Sequence, residues 1–100
     1  MFFQFRFSIL DKSDPKRREL VRNSNGKPEL DDGSNWERTA KTIAATAYTL
    51  GKDVANTIIV VERKKVDSSW EEHMVYYAGK TIDVDDLPEE FCSILTQKAV

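Results

Sequence analysis

One hundred residues, 40% of them hydrophobic and 32% charged, make a chain long enough for one hydrophobic core and too short for two. That composition excludes a disordered chain, the single Cys92 excludes a disulfide framework, and no apolar run approaches the roughly 20 residues that span a bilayer. Net charge is −2 but unevenly spread: residues 1–30 carry seven Lys/Arg against four Asp/Glu, and residues 81–100 carry one Lys against five Asp/Glu.

The opening MFFQFRFSIL places Met1, Phe3, Phe5, Phe7 and Ile9 at odd positions and Gln4, Arg6 and Ser8 at even ones. A period of two needs one buried and one solvated face, so a strand is predicted over residues 2–10, in an antiparallel sheet covered on one side only. The same ten residues lack the basic n-region and long apolar run of a secretion signal, and with a lone cysteine a reducing cytoplasm is the expected location.

Residues 11–35 hold almost nothing that could fill a core, and structureless loops of that length are uncommon in compact domains. Two outcomes are open for this stretch. Asn25 and Gly26 between Leu20–Val21 and Leu30 can form a type I′ hairpin whose second arm Pro28 confines to a sheet edge, or the segment is a mobile loop. Between residues 12 and 27 six Lys/Arg face two acids, a local charge of +4.

SNWE then reads as a capping box, Ser34 to the Glu37 amide and Glu37 back to Ser34. Trp36, Ala40, Ile43, Ala47 and Leu50 follow at spacings of 4, 3, 4 and 3, which puts one stripe of a helix over residues 35–50 on the core, with Gly51 as its left-handed C′ residue. TIIVVERKK from Thr57 has four consecutive β-branched apolar residues, the mark of a central strand shielded on both faces near its start. VDSSW supplies a turn, and EEHMVYYAGK returns as the second strand of a hairpin. TIDV is a short strand or an extended lead-in. DDLPEEFCSIL opens a second helix, with Pro88 in its first turn and Leu87, Phe91, Ile94 and Leu95 on one face. The expected fold is therefore α+β: a single domain with an antiparallel sheet of three to four strands and two helices packed on one face, in the order β, long loop, α, β, β, short β, α.

No pattern of catalytic chemistry emerges. Cys92 and His73 fall short of the four ligands of a structural zinc site, and Asp83, Asp85 and Asp86 lack calcium-loop spacing and are explained as the acidic first turn of a helix. Cys92 lies beside Glu89 and Glu90, which raise a thiol's pKa rather than lower it, and His73 lies beside Glu71 and Glu72 as a surface histidine would. The four glycines are scattered singly, so no phosphate cradle is formed. The chain is expected to be no enzyme and to need no cofactor or metal.

The reading left is a small protein-binding module of inhibitor or adaptor type, such as phage, other mobile-element or immunity proteins supply. Its expected partner contacts are a basic grip of Lys16, Arg17, Arg18 and Arg22, with Trp70 and Tyr76 as aromatic contacts. Trp70 has a second explanation as a lid on the core. The alternative function is nucleic-acid binding through the basic arm 12–27, against which stand a pI near 5.4 and the acids Glu29, Asp31 and Asp32. Pairing of a free strand edge with a second copy is a further expectation. The basic grip should be exposed, and Phe3, Phe5, Phe7, Ile43, Ala47 and Phe91 should be buried together.

Overall fold

A computed structural model of the chain describes residues 3–14, 18–32 and 35–91. Three long elements carry it. Strand β1 (Gln4–Asp11) pairs along its whole length with the strand Thr57–Lys64, from Gln4 opposite Lys64 to Asp11 opposite Thr57. The latter pairs in turn with Glu71–Tyr77 to make the predicted hairpin, turned by Asp67 at φ 66° and a bond from the Ser68 amide to the Lys65 carbonyl.

The described part of the polar stretch after β1 is neither a free arm nor a bare loop. The chain reverses at Asp11, whose carboxylate accepts both the amide and the hydroxyl of Ser13 and is held below its usual pKa by those bonds. It then runs back along the outer edge of β1 in two pieces, β2 (Glu19–Leu20) and β3 (Leu30–Asp32), pairing Ile9 and Ser8 with the first and Arg6 to Gln4 with the second. Between them residues 22–28 leave the sheet as a small hairpin, with Arg22 bridging Pro28. Of the two open outcomes, the hairpin is the observed one. Its turn is not type I′: Gly26 alone has positive φ, at 77°, while the Asn23 carboxamide oxygen accepts the amides of Asn25 and Lys27.

With α1 (Trp36–Thr49) following β3, the strands named above become β4 (Thr57–Lys64) and β5 (Glu71–Tyr77), and the short strand β6 (Lys80–Ile82) completes the sheet. The order across it is β2-β1-β4-β5-β6, with β3 also on β1. Among the described residues six strands thus stand where three to four were expected, because two- and three-residue edge pieces carry no periodicity of their own. The turn between β5 and β6 is of type I′, with Ala78 at φ 50° and Gly79 at φ 90°. Alanine is a strained occupant of that region, and Ala78→Asn is expected to raise stability by about 0.5–1 kcal/mol, read as a higher urea midpoint at unchanged m-value.

Helix α1 ends in a Schellman motif, with the Lys52 amide bonded to the Ala47 carbonyl, the Gly51 amide to that of Tyr48, and Gly51 at φ 103°, as the sequence predicts. Its start differs from the expected capping box. Ser34 lies outside the described residues, the N-cap is Asn35 without a side-chain bond, and the Glu37 carboxylate accepts the Thr81 hydroxyl of β6 instead. A tertiary partner replaces a local one.

The core has two halves, one on each face of the sheet. Under α1, Phe5, Phe7, Ile59, Val61 and Tyr76 pack with Ala40 and Ala44, flanked by half-buried Phe3, Ile9, Val21, Trp36, Ile43 and Tyr48. On the opposite face Leu10, Ile58, Val60 and Val75 pack against Leu87 and Phe91. The segment that opens the predicted second helix therefore covers the face away from α1, which corrects the expectation of two helices on one face and of a sheet wet on one side. Within it a 3-10 turn spans Val84–Asp86 and a helical turn opens at Glu89; Cys92, Ile94 and Leu95 lie outside the described residues. Phe91 is buried, yet across the sheet from Phe5 and Phe7 rather than beside them. No helix among the described residues is long and apolar enough to cross a membrane.

Candidate functional site

The face opposite α1 is apolar at one end and ionic at the other, because β1 and β4 place Arg6 and Glu62 directly opposite one another. The Arg6 Nε donates to the Glu62 carboxylate at 2.9 Å, and its guanidinium carbon lies 4.5 Å from the centre of the Trp70 ring. Arg18 comes in from the other side, 3.5 Å from Glu62 and 3.3 Å from Glu72. Glu62 is only 4% exposed, so two guanidinium groups balance one buried carboxylate.

This arrangement redistributes the expected contact residues. Arg18 and Trp70 are brought to one patch, through Arg6 and Glu62. Arg18 is not exposed as expected: its side chain retains 14% of its accessible area and belongs to an internal ion network. Part of the basic charge of residues 12–27 is thus answered by carboxylates of β4 and β5. Trp70 is half-buried, serving as a lid over Arg6 with the Lys64 ammonium 5.5 Å from its ring. Tyr76, expected at the surface, is 8% exposed in the core under α1 and gives only an edge to a polar groove with Glu37, Lys41 and Thr81. Arg22 is exposed, donating to the Gly26 carbonyl at 3.0 Å. Lys16 and Arg17 lie outside the described residues.

His73 is the extra residue of a β-bulge, since Val61 faces Met74 while Glu62 faces Glu72. The bulge turns its ring under α1, 5.0 Å from the Trp36 ring and 5.8 Å from that of Phe5. Burial, then the nearby Arg63 charge, push its pKa below 6.5, with Glu71 and Asp83 opposing. The unfolded chain therefore binds the proton more tightly than the folded one. The stability contributed by neutral His73 is whole above pH 6.5 and is lost as the pH falls from there through the depressed native value. Urea titrations at pH 7.5 and 5 should show this slope, and His73→Gln should flatten it; an equal slope in the variant removes the assignment. Asp83 is occupied locally, accepting the Asp85 amide, and no metal-holding cluster of His, Cys, Asp or Glu occurs among the described residues.

The feature with the form of a binding site lies on the other face. Beside α1, toward the edge that carries β2, a groove of about 450 Å³ is floored by Ile9, Val21, Ile43 and Ala47. Thr39, Thr42 and Thr46 line its helical wall, Leu50 stands at its rim, and Arg22, Arg38 and Glu29 complete its lining. The hairpin of residues 22–28 emerges next to it, so the excursion from the edge strand shapes its outer side. Sequence reasoning assigned Leu50 to the buried stripe, whereas it is 81% exposed. The available signal was its position immediately before Gly51, at the C-cap where the Schellman turn ends the helix. Of the expected contacts among the described residues, only Arg22 belongs to this groove. Comparison with protein-family models, with curated proteins and with solved structures yields no match.

Proposed function

We propose that the chain is a small non-catalytic protein-binding module, acting by surface complementarity as an inhibitor or adaptor does. The observation that carries this reading is the groove: an apolar floor of four side chains, an exposed leucine at the rim and arginines in the lining. Apolar anchors ringed by charge are the composition of a contact centre and its rim. A groove of this size also suits several partner side chains better than a substrate needing general acid or base groups, since no histidine, cysteine or paired carboxylate lines it among the described residues.

The nucleic-acid alternative has less to draw on. Arg18 is committed to Glu62 and Glu72, and Tyr76 is buried away from any stacking partner. The test is capture from a bacterial lysate with the tagged chain, with and without nuclease, beside the variant Thr46→Glu/Leu50→Asp, whose two sites are exposed. A stoichiometric protein that survives nuclease and is lost in the variant supports the reading. Recovery of nucleic acid alone, with every protein released by nuclease, overturns it in favour of the alternative.

A further inference from the structure

Resting on the protein-binding reading, we infer that the groove takes an amphipathic helix of the partner, apolar on the seated face and acidic along its flanks. The shape of the site favours a helix over a strand. An added strand would run along the outer edge of β2 and β3, but the hairpin of residues 22–28 stands out of the sheet between those two pieces and interrupts that edge. Beside α1, in contrast, Ile9 and Val21 form an apolar shelf next to the helix, the place a second helix of an α/β layer occupies.

The α1 side of the groove, from floor to rim, has matching periodicity. Thr39, Ile43, Thr46 and Leu50 recur at spacings of 4, 3 and 4, a second stripe on α1 alongside the core stripe of Ala40, Ala44 and Ala47. Small threonines and Ala47 let a neighbouring helix approach to the ordinary interaxial distance of about 8–10 Å, and Ile43 and Leu50 supply ridges for its grooves. Charge selects the sign of the partner. Arg22 and Arg38 outnumber Glu29 in the lining, opposite in sign to the chain's net −2, and both arginines are exposed. Carboxylates flanking the seated face therefore find forked donors, and lysines there meet repulsion.

Three synthetic 18-residue helical peptides test this by fluorescence anisotropy on the full chain. One carries leucines at helical spacing with glutamates on the flanks, one replaces the glutamates by lysines, and one scrambles the leucine order. The glutamate peptide should bind about tenfold or more tightly than either control, Arg22→Glu/Arg38→Glu should invert the preference between glutamate and lysine peptides, and Leu50→Asp should weaken the glutamate peptide about tenfold. All three positions are exposed, and circular dichroism of each variant is the check that it is folded.

Equal affinity for the charged peptides, no saturable binding, or a preference unmoved by the arginine reversal overturns the assignment. A concentration-dependent dimer abolished by Leu50→Asp also overturns it, making a second copy the occupant. A lysate partner lost in Thr46→Glu/Leu50→Asp but indifferent to Arg22→Glu/Arg38→Glu overturns the acidic helix while leaving the protein-binding reading in place.

Discussion

Phe91→Ala is expected to lower the unfolding free energy by about 3–4 kcal/mol, a large share of the roughly 5–15 kcal/mol that holds a domain of this size together. The ring is 1% exposed, lies 5.3 Å from the Tyr77 ring in an edge-to-face contact, and closes the cluster of Leu10, Ile58, Val60 and Val75. Truncation removes its transfer energy and leaves a cavity between two elements that relax only in part. Urea unfolding followed by circular dichroism measures it. Phe91→Leu should recover more than half of the loss, and the exposed neighbours Glu89→Ala and Glu90→Ala should stay within about 0.5 kcal/mol of the parent. A cost below about 1 kcal/mol for Phe91→Ala would mean that the second face of the sheet does not depend on this segment.

Glu62→Ala should be nearly as costly, at about 3 kcal/mol, the lower end of the range for breaking a buried ion pair. Removing the carboxylate takes away the charge that Arg6 and Arg18 share, while the Glu72 carboxylate that still pairs with Arg18 and water reaching Arg6, whose side chain is 27% exposed, moderate the penalty. Simultaneous replacement by Arg6→Met, Arg18→Met and Glu62→Leu should cost less than the single change, because the desolvation penalty disappears along with the attraction. The surface pair of Arg63 and Glu71, 3.0 Å apart with the carboxylate 61% exposed, provides the contrast: Glu71→Ala should cost no more than about 0.5–1 kcal/mol and be sensitive to salt. If Glu62→Ala matches Glu71→Ala, the network on the face opposite α1 contributes little.

These two expectations mark where local reading of the chain stops. The alternation of Phe5 and Phe7 with Gln4 and Arg6, the β-branched run of β4, the stripe on α1 and the Gly51 cap are local patterns, and each becomes the element it predicts. Ser8 and Leu10 are different. Whether the even face of β1 meets water or Phe91 depends on a segment some 80 residues away, and nothing near Ser8 records it. The groove was legible only in pieces: Ile43, Ala47 and Leu50 belonged to a recognised stripe and Arg22 to a recognised basic stretch, while Val21 and Arg38 had no reason to be grouped with them.

By itself, then, the sequence determines the class of this protein, α+β with a central apolar strand, a long helix and a hairpin, because side-chain periodicity and turn chemistry are properties of neighbours along the chain. Tertiary structure alone decides that residues 19–32 become an interrupted edge, that Arg18 turns inward to carboxylates 44 and 54 positions away, and that Leu50 is left at the rim of a groove. Short edge ladders are held by main-chain hydrogen bonds that any residue but proline can make, and ion pairs across strands depend on register, so neither leaves a local signature.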